Sequence, residues 1–250
     1  LNAIAKLIHN RIDFLLRKNS SAAYPDWILK DYHKTIGADN AVHNRLMERS
    51  VRYIILSNDL LAPIFQKPIN SLMDHYWGHR HPLITHLTPG SSDEVKTKNE
   101  CGFRVARPEL EDVTGIHVDV YKDVFTQSGD EAYESGLLSR LRTDPGETDL
   151  ITVWIPIVGF SQKYSLRFAP GSHTTKHPID IFTTSSKFMT RECTSDYESR
   201  FHFIRPELLP GQAIVFHPNL LHGGSVNEGN STRVSIEVRL RNNRLAVEKS

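Results

Sequence analysis

From residue 233 to residue 240 the chain alternates without a break. Val234, Ile236, Val238 and Leu240 fall on one face, Arg233, Ser235, Glu237 and Arg239 on the other. Successive side chains of a strand point to opposite sides. This segment therefore reads as a strand with an apolar face under a covering layer and a strongly polar second face. Such a polar face either meets water or lines a polar cavity, and polar cavities are where sites form. Further strand-like runs at 103–106, 115–120, 150–158, 165–169 and 212–216 are punctuated by Gly, Pro, Asn and Asp. That texture is the signature of a sandwich or barrel.

The first third is different. Ile4, Leu7, Ile8, Ile12, Leu15 and Leu16 recur at three-to-four spacing, with Lys6, Asn10, Asp13 and Arg17 opposite them, which predicts an amphipathic helix. A second helix is expected from Asp39 or Asn40, either a suitable N-cap, to Leu61, stopped by Pro63. The 250 residues suffice for one large domain with a substantial core. The expected layout is a single domain over 1–250, with a helical cap and buttress over 1–99 and a β core over 100–241. Long loops are expected at 126–149 and 174–207, and long loops in compact domains usually carry function.

Composition excludes several classes. Thirty Lys and Arg balance 29 Asp and Glu, so there is no basic field for a phosphate backbone and nucleic acid is not the expected partner. No apolar run approaches the ~20 residues of a membrane helix. Lys6, Arg11 and Asp13 break any signal-peptide core. Two cysteines, Cys101 and Cys193, are too few for a disulfide scaffold and suit a reducing compartment. The expectation is a soluble cytoplasmic protein acting on a small molecule, its oligomeric state open. Because the chain begins with Leu, a few upstream residues are expected to be missing.

Chemistry concentrates in three places. His117 and Asp119 stand two apart on a predicted strand and share a face, as does Tyr121. His222 ends a later strand fed by the turn Pro210-Gly211, and Gly223 and Gly224 after it permit close backbone approach. Arg233 follows His222 by eleven residues. Two histidines and a carboxylate make the facial triad of non-haem Fe(II) enzymes, which leaves coordination positions open. An arginine on the next strand can clamp a carboxylate in bidentate fashion. His217 competes as the distal histidine, but it stands five residues before His222 and so faces the other way in a continuous strand. Only His222 has the glycines and the spaced arginine.

With those residues in place the chain resembles the Fe(II)/2-oxoglutarate-dependent oxygenases, and within them the phytanoyl-CoA dioxygenase-like (PhyH) family. The resemblance spans roughly 103–240. It rests on His117-Val-Asp119, Phe168-Ala-Pro-Gly-Ser-His173, Trp154-Ile-Pro-Ile, Pro210-Gly-Gln-Ala-Ile-Val-Phe, His222 and Arg233-Val-Ser235. The resemblance implies a double-stranded β-helix (jelly roll, cupin-like), mainly β with N-terminal helices packed on the major sheet. It implies His117, Asp119 and His222 as metal ligands and catalytic centre. It assigns Arg233, helped by Ser235, to the distal carboxylate of 2-oxoglutarate. O₂ is the second cosubstrate, and succinate and CO₂ are released. Family halogenases carry a small residue in place of Asp119, so its presence favours hydroxylation or a related oxidation.

Thr152 and Trp154 share a face and are candidates for the cosubstrate pocket. Tyr121, Arg104 and Arg167 are candidates for substrate contact. Arg104 and Arg107 are three apart, so at most one points inward. Arg239 shares parity with Arg233 but is six residues on, about 20 Å along a strand, and is expected not to touch the metal or cosubstrate directly. His173 is expected to hold its loop. The histidine-dense segment 74–81, with His86 beyond, reads as a polar loop beside the barrel mouth rather than a zinc site. Arg104, Arg107, Lys122, Lys163, Arg167 and Lys176 favour a substrate with carboxylate, phosphate or sugar groups, as in secondary metabolism or sugar modification. Two rival classes are a non-catalytic β-fold binding protein and a metal-dependent hydrolase or isomerase using the same ligands.

Overall fold

The computed structural model describes residues 1–19, 28–48, 52–78, 80, 82–84, 99–119, 143–144, 146–175, 177, 180–183, 189–193 and 195–242. Helices come first: α1 (Asn2–Asn19), α2 (Tyr32–Ile36) and α3 (Asn40–Leu46), with α4 (Asn58–Leu61) and α5 (Lys67–Trp77) after strand β1 (Tyr53–Ile55). Strands then dominate: β2 (Leu83–Ile84), β3 (Glu100–Ala106), β4 (Ile116–His117), β5 (Thr143–Asp144), β6 (Glu147–Thr148), β7 (Leu150–Val158), β8 (Arg167–Phe168), β9 (Asp180–Thr183) and β10 (Met189–Glu192). A short α6 (Ser195–Glu198) precedes β11 (Ile214–Phe216), β12 (His222–Gly223) and β13 (Arg233–Arg241).

The major sheet runs β1-β3-β13-β7-β11, with β2 added to the far end of β13, and every pairing is antiparallel. A smaller sheet has the order β4-β12-β8. The alternation of β13 decides which face is which. Val234, Ile236, Val238 and Leu240 join Phe103, Val105, Ile151, Val153, Ile155 and Ile157 in a core shared with Ile4, Ile8, Ile12 and Leu16 of α1. The helices thus cover the outer face of the major sheet. Full burial of each such aliphatic side chain contributes ~1.5–3 kcal/mol. The inner face meets the smaller sheet through Trp154, Phe168, Leu208 and Phe216. The result is a jelly roll with an interior between two sheets and helices outside it.

The buried stripe of α1 is narrower than its sequence suggests. Leu7 and Phe14 are exposed, because the strict i, i+4 row from Ile4 to Leu16 already fills the contact. The long second helix is a correction. Asp39 does cap α3, accepting from the Val42 amide at 3.0 Å, but the helix stops at Leu46 and residues 53–55 form a strand. Tyr53 and Ile54 pair with Gly102 and Cys101, and Ile54 is buried in the core. Sheet pairing at an open edge outweighs a helical periodicity that consisted of scattered apolar residues. The described parts of the connections at 126–149 and 174–207 carry the β5-β6 and β9-β10 hairpins and α6.

Arg107 ties the helical layer to the barrel. It is 1% exposed. Its guanidinium binds both oxygens of Asp112 at 2.7 Å, the Gly37 carbonyl at 2.9 Å and Asn40 Oδ1 at 2.7 Å. His43 joins this cluster, with Nε2 3.4 Å from Asp112 Oδ1 and Nδ1 3.1 Å from the Tyr32 hydroxyl. A buried charge needs this degree of pairing to be tolerated, so Arg107 serves the fold and is turned away from the interior.

Candidate metal centre inside the barrel

Strand register brings the two histidines together. His222 on β12 is the direct partner of His117 on β4, and their rings lie 4.5 Å apart. Each imidazole is held in the same way. Nδ1 of His117 is 2.8 Å from the Gly115 carbonyl, and Nδ1 of His222 is 2.9 Å from the Leu220 carbonyl. A carbonyl can only accept, so Nδ1 carries the proton in both rings and each Nε2 lone pair is left to face inward. Phe168 stacks on His222 with an interplanar angle of 15°, and Phe216 packs against it at 4.6 Å.

The glycines after His222 make the close approach possible. A Cβ on Gly223 would stand 2.6 Å from the Gly115 carbonyl oxygen, and one on Gly224 2.4 Å from Val113 Cβ. Only a residue without a side chain lets β12 approach the chain before His117 so closely.

Asp119 completes the group. Its amide donates to the Pro218 carbonyl at 2.8 Å, which draws it toward the turn before β12. Thr152 Oγ1 donates to Oδ2 at 2.5 Å, and Arg239 Nη2 donates to Oδ1 at 2.5 Å. Oδ1 also lies 3.8 Å from His222 Nε2. One donor atom from each of His117, Asp119 and His222 falls within 4.8 Å of the others. Burial pushes the His117 imidazole down to about 4, with His222 adding to the effect and Asp119 opposing it, so the ring is neutral and able to coordinate. Burial alone would raise the Asp119 carboxyl, but Arg239 and the two imidazoles outweigh it and hold the group below its ordinary value. Two imidazoles and one carboxylate on one side of the barrel interior, each locked by an outer hydrogen bond, fit a divalent transition metal with open positions.

The other candidate residues sort by face. Arg233 is 2% exposed, and its Nη1 reaches only two carbonyls, Tyr164 at 3.2 Å and Ser225 at 3.5 Å. Its Nε has no partner among the described residues. Burial, with Arg205 nearby, pushes its guanidinium down to about 10. A buried cation held only by carbonyls is a seat for an anion. Ser235 is on the same inner face, paired with Arg104 on one side and Pro156 on the other. Trp154 is on the face of Thr152 but is walled in by Phe168, Leu208 and Phe216. Arg167 is not brought to the metal group: its neighbour Phe168 faces His222, while Arg167 itself pairs with Glu198 at 2.8 Å and lies over the Phe203 ring. Tyr121 lies outside the described residues.

His217 stands apart from the triad, against His173 at 5.4 Å, with Nδ1 accepting from the Asn219 amide at 3.1 Å. In the histidine-dense segment, His75 is exposed on α5, and Asp74 pairs with Arg80; His79, His81 and His86 lie outside the described residues. Arg239 is not one of the three metal-facing residues, but it lies closer to them than its spacing suggested, for it holds an Asp119 carboxylate oxygen. Glu237, 2.7 Å from the same Nη2, was not anticipated either. Both share parity with Arg233, and that was the available signal.

Among curated proteins none matches. Solved structures with a similar chain path include the epimerase SnoN in complex with Fe3+, alpha ketoglutarate and nogalamycin RO, at 17% identity and a TM-score of 0.43, covering 76% of this chain and 62% of that one. EvdO2 from Micromonospora carbonacea var. aurantiaca is 14% identical with a TM-score of 0.46, covering 76% of this chain and 66% of that one. The non-heme monooxygenase ThoJ is 14% identical with a TM-score of 0.49, covering 98% and 71%. The chain thus spans about three fifths of the length of SnoN. Residues 130–235 match the model of the phytanoyl-CoA dioxygenase (PhyH) family, a stretch that includes His222 and Arg233.

Proposed function

We propose that this chain is a non-haem Fe(II)- and 2-oxoglutarate-dependent dioxygenase that hydroxylates a small polar metabolite. The observation that carries this is the convergence of His117, Asp119 and His222 in one barrel that also buries Arg233 without a carboxylate partner among the described residues. When bound, iron supplies oxidation of the substrate coupled to conversion of 2-oxoglutarate and O₂ into succinate and CO₂. The protein's part is geometric. His117 and His222 present Nε2 atoms whose partner nitrogens are fixed on backbone carbonyls. Thr152 and Arg239 fix the Asp119 carboxylate, and Arg233 receives the far carboxylate of 2-oxoglutarate. Phe168, Phe216 and Trp154 keep water from that side of the metal group.

A hydrolase using the same ligands leaves a buried arginine such as Arg233 without a purpose. We propose further that the helices before residue 99 act with the β core as one unit, and that two buried cysteines, neither of them in a disulfide, suit a cytoplasmic setting. The test is an anaerobic titration of the apoprotein with Fe(II) and then 2-oxoglutarate. A weak visible charge-transfer band is expected in the wild type and none in Asp119→Ala. A wild type without the band, or a variant that keeps it, overturns the assignment.

A further inference from the structure

The basic residues near the barrel divide sharply in their partners. Arg107 is consumed by Asp112, and Arg167 by Glu198. Arg239 is held between Asp119 and Glu237. Arg104 is different. It sits on β3 between Phe103 and Val105, which both enter the outer core, so its side chain takes the inner face opposite Ser235. Among the described residues no hydrogen bond or ion pair engages it. Its position is two residues diagonal from Arg233 across the strand pair, near enough for long side chains to interact. Burial, then Arg52, and also Arg233 push its guanidinium down to about 9, against the pull of Glu237. The cations crowd one another here.

Charge balance shows what is missing. The described charges that strand parity places on the inner face are Arg104, Arg233 and Arg239 against Asp119 and Glu237, and Arg52, set against the Tyr53 ring, adds a further cation near Arg104. A divalent metal and the dianionic 2-oxoglutarate cancel. Among the described residues the loaded site therefore holds more cations than anions, and a partly buried cation gains from a counter-ion. Arg239 is held by Asp119 and Glu237 and Arg233 is assigned to the cosubstrate, which leaves Arg104 as the inner-face arginine without an acidic partner among the described residues.

Resting on the oxygenase reading above, we propose that Arg104 anchors an anionic group of the substrate, which is therefore a carboxylic acid or a phosphate or sulfate ester. Glu237 lies within electrostatic range of both Arg104 and His117. Arg104 on β3 and Glu237 and Arg239 on β13 share the inner face of the major sheet, and Arg239 holds Asp119, so a small acid held at Arg104 lies on the same face of the barrel as the metal group.

The test uses the whole protein loaded with Mn(II) and 2-oxoglutarate, titrated calorimetrically with benzoate, phenyl phosphate and phenyl sulfate, with benzamide as the neutral probe. The wild type is expected to bind at least one anion tenfold or more tightly than benzamide, the scale of a charged hydrogen bond. Arg104→Gln is expected to lose that preference and Arg104→Lys to retain most of it. No preference in the wild type, or one that survives in Arg104→Gln, overturns the proposal. So does an Arg104→Gln variant whose affinity for 2-oxoglutarate falls tenfold, which would place Arg104 in the cosubstrate seat. Failure of the oxygenase reading shows earlier and separately, as absence of 2-oxoglutarate binding by the Mn(II) protein before any probe is added.

Discussion

Arg239 Nη2 stands 2.5 Å from Asp119 Oδ1, the same oxygen that faces His222 Nε2 at 3.8 Å. The guanidinium thus balances the carboxylate at the position a metal would approach, and Glu237 shares it at 2.7 Å. Removing the cation leaves the Asp119 and Glu237 carboxylates, the first of them buried, without the guanidinium that lies between them. Breaking such a pair costs about 3–5 kcal/mol. Arg239→Gln is expected to lower the Tm of the metal-free protein by roughly 5–15 °C for a chain of this size. Mn(II) should then raise the variant's Tm by more than it raises the wild type's, because the divalent ion replaces the missing charge. Scanning fluorimetry with and without Mn(II) decides this, and equal metal-induced shifts would count against it.

Arg233→Gln tests the cosubstrate seat. Losing a charged hydrogen-bonding clamp is expected to weaken 2-oxoglutarate binding by ~1.5–3 kcal/mol, roughly ten- to a hundredfold. Titrating the Fe(II) charge-transfer band measures it. An unchanged midpoint would remove Arg233 from the site.

Gly223→Ala tests the strand approach. Its Cβ would meet the Gly115 carbonyl oxygen at 2.6 Å and Ile116 Cδ1 at 2.8 Å. The backbone of β12 must retreat from β4, at a cost of ~1–3 kcal/mol, and His222 retreats with it. Mn(II) affinity is expected to fall by an order of magnitude while far-UV circular dichroism stays native. Retained affinity would show that the close approach is not needed to set the ligands.

His43 gives the pH prediction. Burial lowers its imidazole to about 4, with Asp112 opposing and the neighbouring arginines assisting. The unfolded chain takes up this proton near pH 6.5, whereas the folded one does not until about 4. The unfolded state therefore binds more protons between these values, so stability is intact above pH 6.5 and falls as the pH drops toward 4. The loss is at most ~3 kcal/mol from this group. Urea denaturation of His43→Gln between pH 7 and pH 4.5 should show a shallower decline than the wild type. Parallel curves would remove His43 as a contributor.

Much of the fold was legible in order and parity. The run at 150–158 is a strand over those residues, and the alternation at 233–240 separates a helix-covered face from an inner one as its pattern demands. Where the signal was only a loose helical period, around residues 46–57, edge pairing with β3 took over. For Arg167 the strand was visible, but its two-residue length gave no hint of which face would turn inward.

Alternation settled by itself which residues of β13 share a face, since that depends on backbone geometry two residues at a time. Which atom each of those residues would meet depended on the strand crossing opposite, a matter of register between segments more than a hundred positions apart. Arg239 shows the difference. Its face could be counted from Arg233, but only the packing of the two sheets placed the end of β13 beside the residue that follows β4. A guanidinium on a long, flexible stem then closed the remaining gap.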